Sequence, residues 1–299
     1  MPIGCSAAMS QKLQGFAYLT FAMVLVGSTV IASKIIGGGL APFTAAALRF
    51  AIALPFFFAL MRMSDAPWPR PGLRDWLLLI LQSTAGSVGY TTLLISGLRL
   101  TSAANAGVII GTLPVVSATI AITILGERPR PSVLVAIALA AIGVFAIAFQ
   151  PQQTGTGSLL GNMLIFAAVL CEGLFILLSK RLRMPIAPLT QSTLMTGIGL
   201  AVALVPASFE MPWMAGITAA SIGAVVYYAL VPTVGGYLLW YGGLARVSGA
   251  EAALFTAMAP VSAVLLAFAV LGETVSLYQL IIGIGCVLIA VLSLGIVRK

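Results

Sequence analysis

Residues 113–127 read LPVVSATIAITILGE and residues 259–273 read APVSAVLLAFAVLGE, so a proline early in the run and a closing Leu-Gly-Glu recur 146 positions apart. The same offset holds outward from this stretch. Ser33-Lys34 falls on Ser179-Lys180, and Ala41-Pro42-Phe43-Thr44 on Ala187-Pro188-Leu189-Thr190. Gly89 meets Gly235, and Gly97-Leu98 meets Gly243-Leu244. One offset held through the ends and the middle marks an internal duplication, because chance matches in a Gly- and Ala-rich chain would not keep register.

Each copy consists of long apolar runs. Of the 299 residues, 61% are hydrophobic and 7% charged, against roughly 45–50% apolar and 25% charged in soluble domains. So few charges cannot make a water-facing surface. A hydrocarbon core about 30 Å thick takes roughly 20 apolar residues per helical crossing. Runs near 15–36, 41–62, 73–97, 103–124, 131–149, 158–180, 187–208, 217–244, 250–271 and 277–296 supply ten of them, here called helices one to ten. Strands are excluded because a lone strand in lipid leaves its backbone unpaired, and the runs are about twice the length of a barrel strand. The sequence therefore predicts an all-α, polytopic membrane protein with ten transmembrane helices. Its parts are a first repeat over 1–149, an external linker over 150–157 and a second repeat over 158–299. The first run follows Lys12 in the manner of a signal peptide, but it is longer than such a core and has a counterpart in the second half, so it is kept as a helix.

Five helices per repeat is an odd number, so the second copy starts on the opposite side and the repeats are inverted about an axis in the membrane plane. Basic residues point the same way, since cytoplasmic loops carry the excess of Lys and Arg. With the N-terminus inside, the cytoplasmic segments hold Lys12, Arg62, Arg70, Arg74, Arg128, Arg130, Lys180, Arg181, Arg183, Arg246, Arg298 and Lys299; the external side keeps Lys34 and Arg99. Both termini are expected in the cytoplasm. The net charge of +8 thus sits in short loops, with no basic domain for a nucleic acid. No His occurs, and Cys5, Cys171 and Cys286 are scattered. That speaks against a zinc site, a disulfide framework and His-based catalysis, so no metal, cofactor or enzyme activity is expected.

Ala47-Leu48-Arg49-Phe50 in helix two, a proline early in helices four and nine, and the Leu-Gly-Glu closing both of those helices together resemble the ten-helix branch of the drug/metabolite transporter superfamily. Its repeat unit is the EamA domain, and within it the chain looks most like the YddG-type amino-acid exporters. The resemblance implies a multi-pass protein of the bacterial inner membrane that exports a small molecule by alternating access. Two positions depart from the pattern. Val26-Gly27-Ser28 lacks the Trp that often precedes Gly-Ser, and Arg49 has Met195 as its counterpart.

Polar side chains are costly in lipid, so their distribution points to a pathway. They concentrate on helices one, three, four, six, eight and nine, as Ser28, Tyr90, Asn105, Thr112, Glu172 and Thr256 show, whereas helix five is apolar after Ser132. Glu172, mid-helix, is the leading candidate for binding a substrate ammonium or carrying a proton; the alternative is a packing role. Arg49 could meet a carboxylate, but bonding to neighbouring helix ends is the stronger expectation. Ser248-Gly249-Ala250-Glu251 has the form of a capping box. Tyr237 and Trp240 share a helix face and either line an apolar pocket with Tyr90 or belong to an interfacial aromatic belt. Gly86 and Gly89 in helix three, with Pro232, Gly235 and Gly236 in helix eight, are candidate hinges; close packing through small residues competes with that role. Neutral amino acids such as Met, Phe and Thr are the expected cargo. Purine nucleosides, sugars or cationic drugs are the alternative cargo, and a non-transporting receptor or scaffold is the alternative class.

Overall fold

The computed structural model describes residues 3–101, 106, 109–126, isolated positions between 128 and 142, and residues 158–183, 185–210 and 216–271. The external linker, Asn105, Trp213, helix ten and most of helix five lie outside the described residues. No strand occurs among the described residues, and six helices are long and apolar enough to cross a membrane. They are Gln11–Gly37, Pro42–Met63, Leu73–Leu100, Leu159–Lys180, Pro188–Phe209 and Ala219–Leu244, which correspond to helices one, two, three, six, seven and eight.

The sequence offset reappears as a structural one. Helix two spans Pro42–Met63 and helix seven Pro188–Phe209, each opening with its proline in the first turn. There the missing N–H costs nothing. Helix three is α-helical over Leu73–Gln82, widens into π-helical turns over Ser83–Gly89 and resumes at Tyr90. Helix eight repeats this over Ala219–Tyr228, Ala229–Gly235 and from Gly236. In helix eight, Pro232 removes one donor from the ladder, and Thr233 Oγ1 donates to the Tyr228 carbonyl at 2.9 Å. π-turns of this kind are uncommon and concentrate at functional places.

Packing follows the same relation. Helix two lies along helix seven, its own counterpart. Helix one packs on Met258–Leu271 of helix nine, while helix six packs on Leu113–Leu125 of helix four. Helix three's end packs on helix six, and helix eight's end on helix one. Exchanging the repeats exchanges these pairs.

Helices four and nine differ from the continuous runs expected from sequence. Turns at Gly111-Thr112 and Thr256-Ala257 interrupt them. The cause is the proline that follows each break, because its ring clashes with the carbonyl four residues earlier and it donates nothing. At the interruptions the ladder tightens: Thr112 N–H bonds the Ile109 carbonyl at 3.0 Å, and Ala257 N–H the Leu254 carbonyl at 3.2 Å. At the far end of helix four, Gly126 takes φ +67, so the glycine of Leu-Gly-Glu is a left-handed helix stop.

Helix ends gather at two faces. At one, Lys12 pairs with Glu251, Lys180 Nζ donates to the Leu244 and Val247 carbonyls, and Arg246 lies over the Tyr18 ring at 5.3 Å. Glu251 and Ser248 also exchange backbone bonds, Ser248 N–H to Glu251 Oε2 at 3.0 Å and Glu251 N–H to Ser248 Oγ at 3.2 Å, which makes the expected capping box. At the other face, Arg99 donates to the Gly37 and Leu40 carbonyls at 3.0 and 2.6 Å. Glu210, past the end of helix seven, accepts from the Phe43 and Thr44 amides at 3.0 and 2.7 Å. A carboxylate on the orphan amides of helix two satisfies them and complements the helix dipole.

Candidate functional site

The middle of the bundle is polar, although its outer surface is apolar. Arg49, on helix two, is 4% exposed. Its guanidinium lies over the Phe50 and Tyr228 rings, 4.2 and 4.5 Å from their centroids, and Nη2 donates to the Ser87 carbonyl at 2.9 Å. Ser87 belongs to the π-turns of helix three, where each widened turn offsets the carbonyls from the regular ladder. Its hydroxyl meets the Tyr237 hydroxyl at 2.5 Å, linking the widened turns of helix three to helix eight.

Glu172 is 7% exposed, on the buried side of helix six. Its carboxylate has no hydrogen-bond partner among the described residues. One helical turn on, Phe175 carries a cluster of rings: Tyr237 stacks on it at 6.1 Å, with Trp240 at 6.3 Å and Tyr241 at 5.9 Å. Trp240 is 3% exposed and its Nε1–H is buried without a partner among the described residues. These rings are therefore interior. Trp68 and Trp76, by contrast, are on the outside, where an interfacial belt would sit.

The other candidates divide by their partners. Tyr90 is buried at the point where helix three returns to α geometry. Ser28 is buried; it accepts from Tyr227 at 2.8 Å and itself donates to the Leu25 carbonyl at 2.6 Å. The Thr112 hydroxyl bonds the Ile109 carbonyl at 2.7 Å, which stabilises the break in helix four. Thr256 is fully buried at the matching break in helix nine. Of the candidate hinges, Gly86 faces Phe175 so closely that a Cβ would overlap that side chain. Gly89 lies against Cys171 and Gly235 against Leu25, while nothing lies near a Cβ at Gly236. Pro232 is buried within the π-turns.

Two contributors, Gln82 and Phe175, were not singled out from the sequence. Gln82, fully buried, donates to the Phe175 carbonyl at 3.0 Å and lies 3.4 Å from the Tyr241 hydroxyl. An amide inside a membrane run was signal enough to find it. Phe175 had no polar label at all, while Tyr228 and Tyr241, part of the aromatic run that helix eight shows in the sequence, are buried beside Arg49 and Gln82 respectively. Helix two, placed outside the expected pathway, supplies the site's cation.

Comparison with known proteins agrees with this architecture. The model of the EamA-like transporter family matches residues 13–149 and again 159–296. The chain belongs to the EamA-like transporter family. A relative in Bacillus subtilis (strain 168), the uncharacterized transporter YetK, is 32% identical over 285 residues, covering 94% of this chain and 86% of the relative. A probable terminal-alkyne amino-acid exporter of Streptantibioticus cattleyicolor is 27% identical over 208 residues, 68% of each chain. A protein of known crystal structure superposes with a TM-score of 0.76 at 21% identity, covering 97% of this chain and 99% of the other. EamA membership accounts for the two similar halves, and it makes the chain a multi-pass membrane transporter with a small-molecule substrate and a lipid environment.

Proposed function

We propose that this EamA transporter is a secondary carrier that exports small metabolites, neutral amino acids foremost, by alternating access across a bacterial inner membrane. The observation that carries this is Glu172, a buried carboxylate without a hydrogen-bond partner among the described residues, one helical turn from the ring cluster around Phe175 inside a membrane-spanning bundle. A carboxylate at such a depth costs about 2.5–3.5 kcal/mol on insertion scales. A substrate ammonium offsets that cost, and the Phe175, Tyr237, Trp240 and Tyr241 rings offer a tolerant wall for varied side chains. The amino-acid exporter among the relatives supports the same cargo class. Ten helices in two inverted repeats complete the proposed architecture, with the paired π-turns and the paired breaks in helices four and nine as the places that yield when access alternates.

In proteoliposomes, the purified chain is expected to release labelled Met, Phe and Thr at comparable rates. Release of a nucleoside or a quaternary ammonium drug and of none of these would overturn the proposal. Running the assay with and without a proton gradient separates coupled from facilitated export. Orientation is tested apart from cargo: single cysteines placed at residues 150–157 are expected to label from outside the cell, and labelling from the cytoplasm alone would reverse the topology.

A further inference from the structure

We infer that Arg49 and Glu172 are the two poles of one binding site, Arg49 reading the carboxylate and Glu172 the ammonium of the same cargo molecule. This rests on the amino-acid proposal and specifies how that cargo is recognised. The Arg49 guanidinium has five N–H donors in a planar fork. Among the described residues only Nη2 is used, toward Ser87, and the buried Nε–H has no partner. The Phe50 and Tyr228 rings pack against the guanidinium, 4.2 and 4.5 Å from its carbon, and hold it in place. Its edge is what remains, and the edge is the part that binds a planar carboxylate with two parallel bonds.

Glu172 supplies the opposite pole. A purely structural pair would close into contact, because breaking a buried pair leaves two uncompensated charges. Here no ion pair joins them among the described residues. Tyr237 stacks at 6.1 Å on Phe175, which stands one helical turn from Glu172 on helix six. Tyr237 also touches Ser87, whose carbonyl holds Arg49. A cation and a carboxylate held apart in a poorly polarisable interior are matched by a zwitterion of reversed order. A molecule with only one charge satisfies one pole and leaves the other desolvated.

The test is counterflow of labelled phenylalanine in proteoliposomes of the full chain, competed with unlabelled phenylalanine, phenylalaninamide and 3-phenylpropionate. Phenylalaninamide keeps the ammonium without the carboxylate; 3-phenylpropionate does the reverse. Each is expected to compete at least roughly tenfold more weakly than phenylalanine, the loss of one charge-assisted contact. Arg49→Gln is expected to abolish the preference for phenylalanine over phenylalaninamide, and Arg49→Lys to restore it only in part, since an ammonium lacks the planar fork. Phenylalanine transport with phenylalaninamide competing equally well in the wild type would overturn the inference and leave amino-acid export standing. No phenylalanine counterflow at all would overturn the export proposal itself. The wild-type competition decides the matter even where Arg49→Gln fails to fold.

Discussion

Glu172→Gln is expected to lower export of neutral amino acids by at least about tenfold while leaving the yield of folded protein near wild type. The asymmetry follows from what the carboxylate does in each setting. In the folded bundle it is buried without a hydrogen-bond partner among the described residues, so a neutral amide of the same shape removes a desolvation cost and no direct bond. In transport the same change removes the anion that meets the substrate ammonium, a charge-assisted contact of about 1.5–3 kcal/mol, equivalent to roughly ten- to hundredfold. Residual export in the variant should also lose whatever pH dependence the carboxylate contributes, because glutamine does not titrate. Export rates across a pH series, set beside the detergent-solubilised folded yield, check both halves. Wild-type export at every pH would remove Glu172 from the pathway, and loss of folded protein would assign it to packing.

The duplication was legible because it is written in residues whose backbone consequences are strong. Pro42 and Pro188 start their helices at matching places, and Gly126 stops one with a positive φ. The breaks in helices four and nine were equally encoded by Pro114 and Pro260, yet hydropathy hid them, since a turn made of apolar residues keeps the run continuous. Arg49 shows a different limit. Its chemistry is visible in the sequence, but whether it reaches a helix end or the bundle centre depends on Tyr228 and Ser87, which lie 179 and 38 positions away and come together only on packing. The ring cluster was half visible for the same reason: Tyr237 and Trp240 share a helix, whereas Phe175, at its centre, looks like any apolar residue of a membrane run.

Gly86→Ala is expected to destabilise the bundle by about 1–3 kcal/mol, the usual cost of overpacking, whereas Gly236→Ala should not. Both glycines stand in or beside the π-turns of their repeats, and both are candidate hinges, so their sequence context does not separate them. Their surroundings do. A Cβ on Gly86 would overlap the Phe175 side chain near its root, which cannot swing aside as a flexible tip could, while a Cβ on Gly236 meets nothing within 4 Å. At Gly86, helix three must therefore move away from helix six or Phe175 must leave the rings of Tyr237, Trp240 and Tyr241. At Gly236 the added methyl fits, and alanine's better helix propensity is worth up to about 1 kcal/mol. The two substitutions thus divide the two roles a glycine can have here. Thermal unfolding in detergent is expected to show a lowered Tm for Gly86→Ala alone. Export by Gly236→Ala then tests the hinge: a stiffer junction after the π-turns should slow turnover in a protein whose stability is unchanged or raised, and wild-type turnover would place the flexing elsewhere, at the proline breaks of helices four and nine.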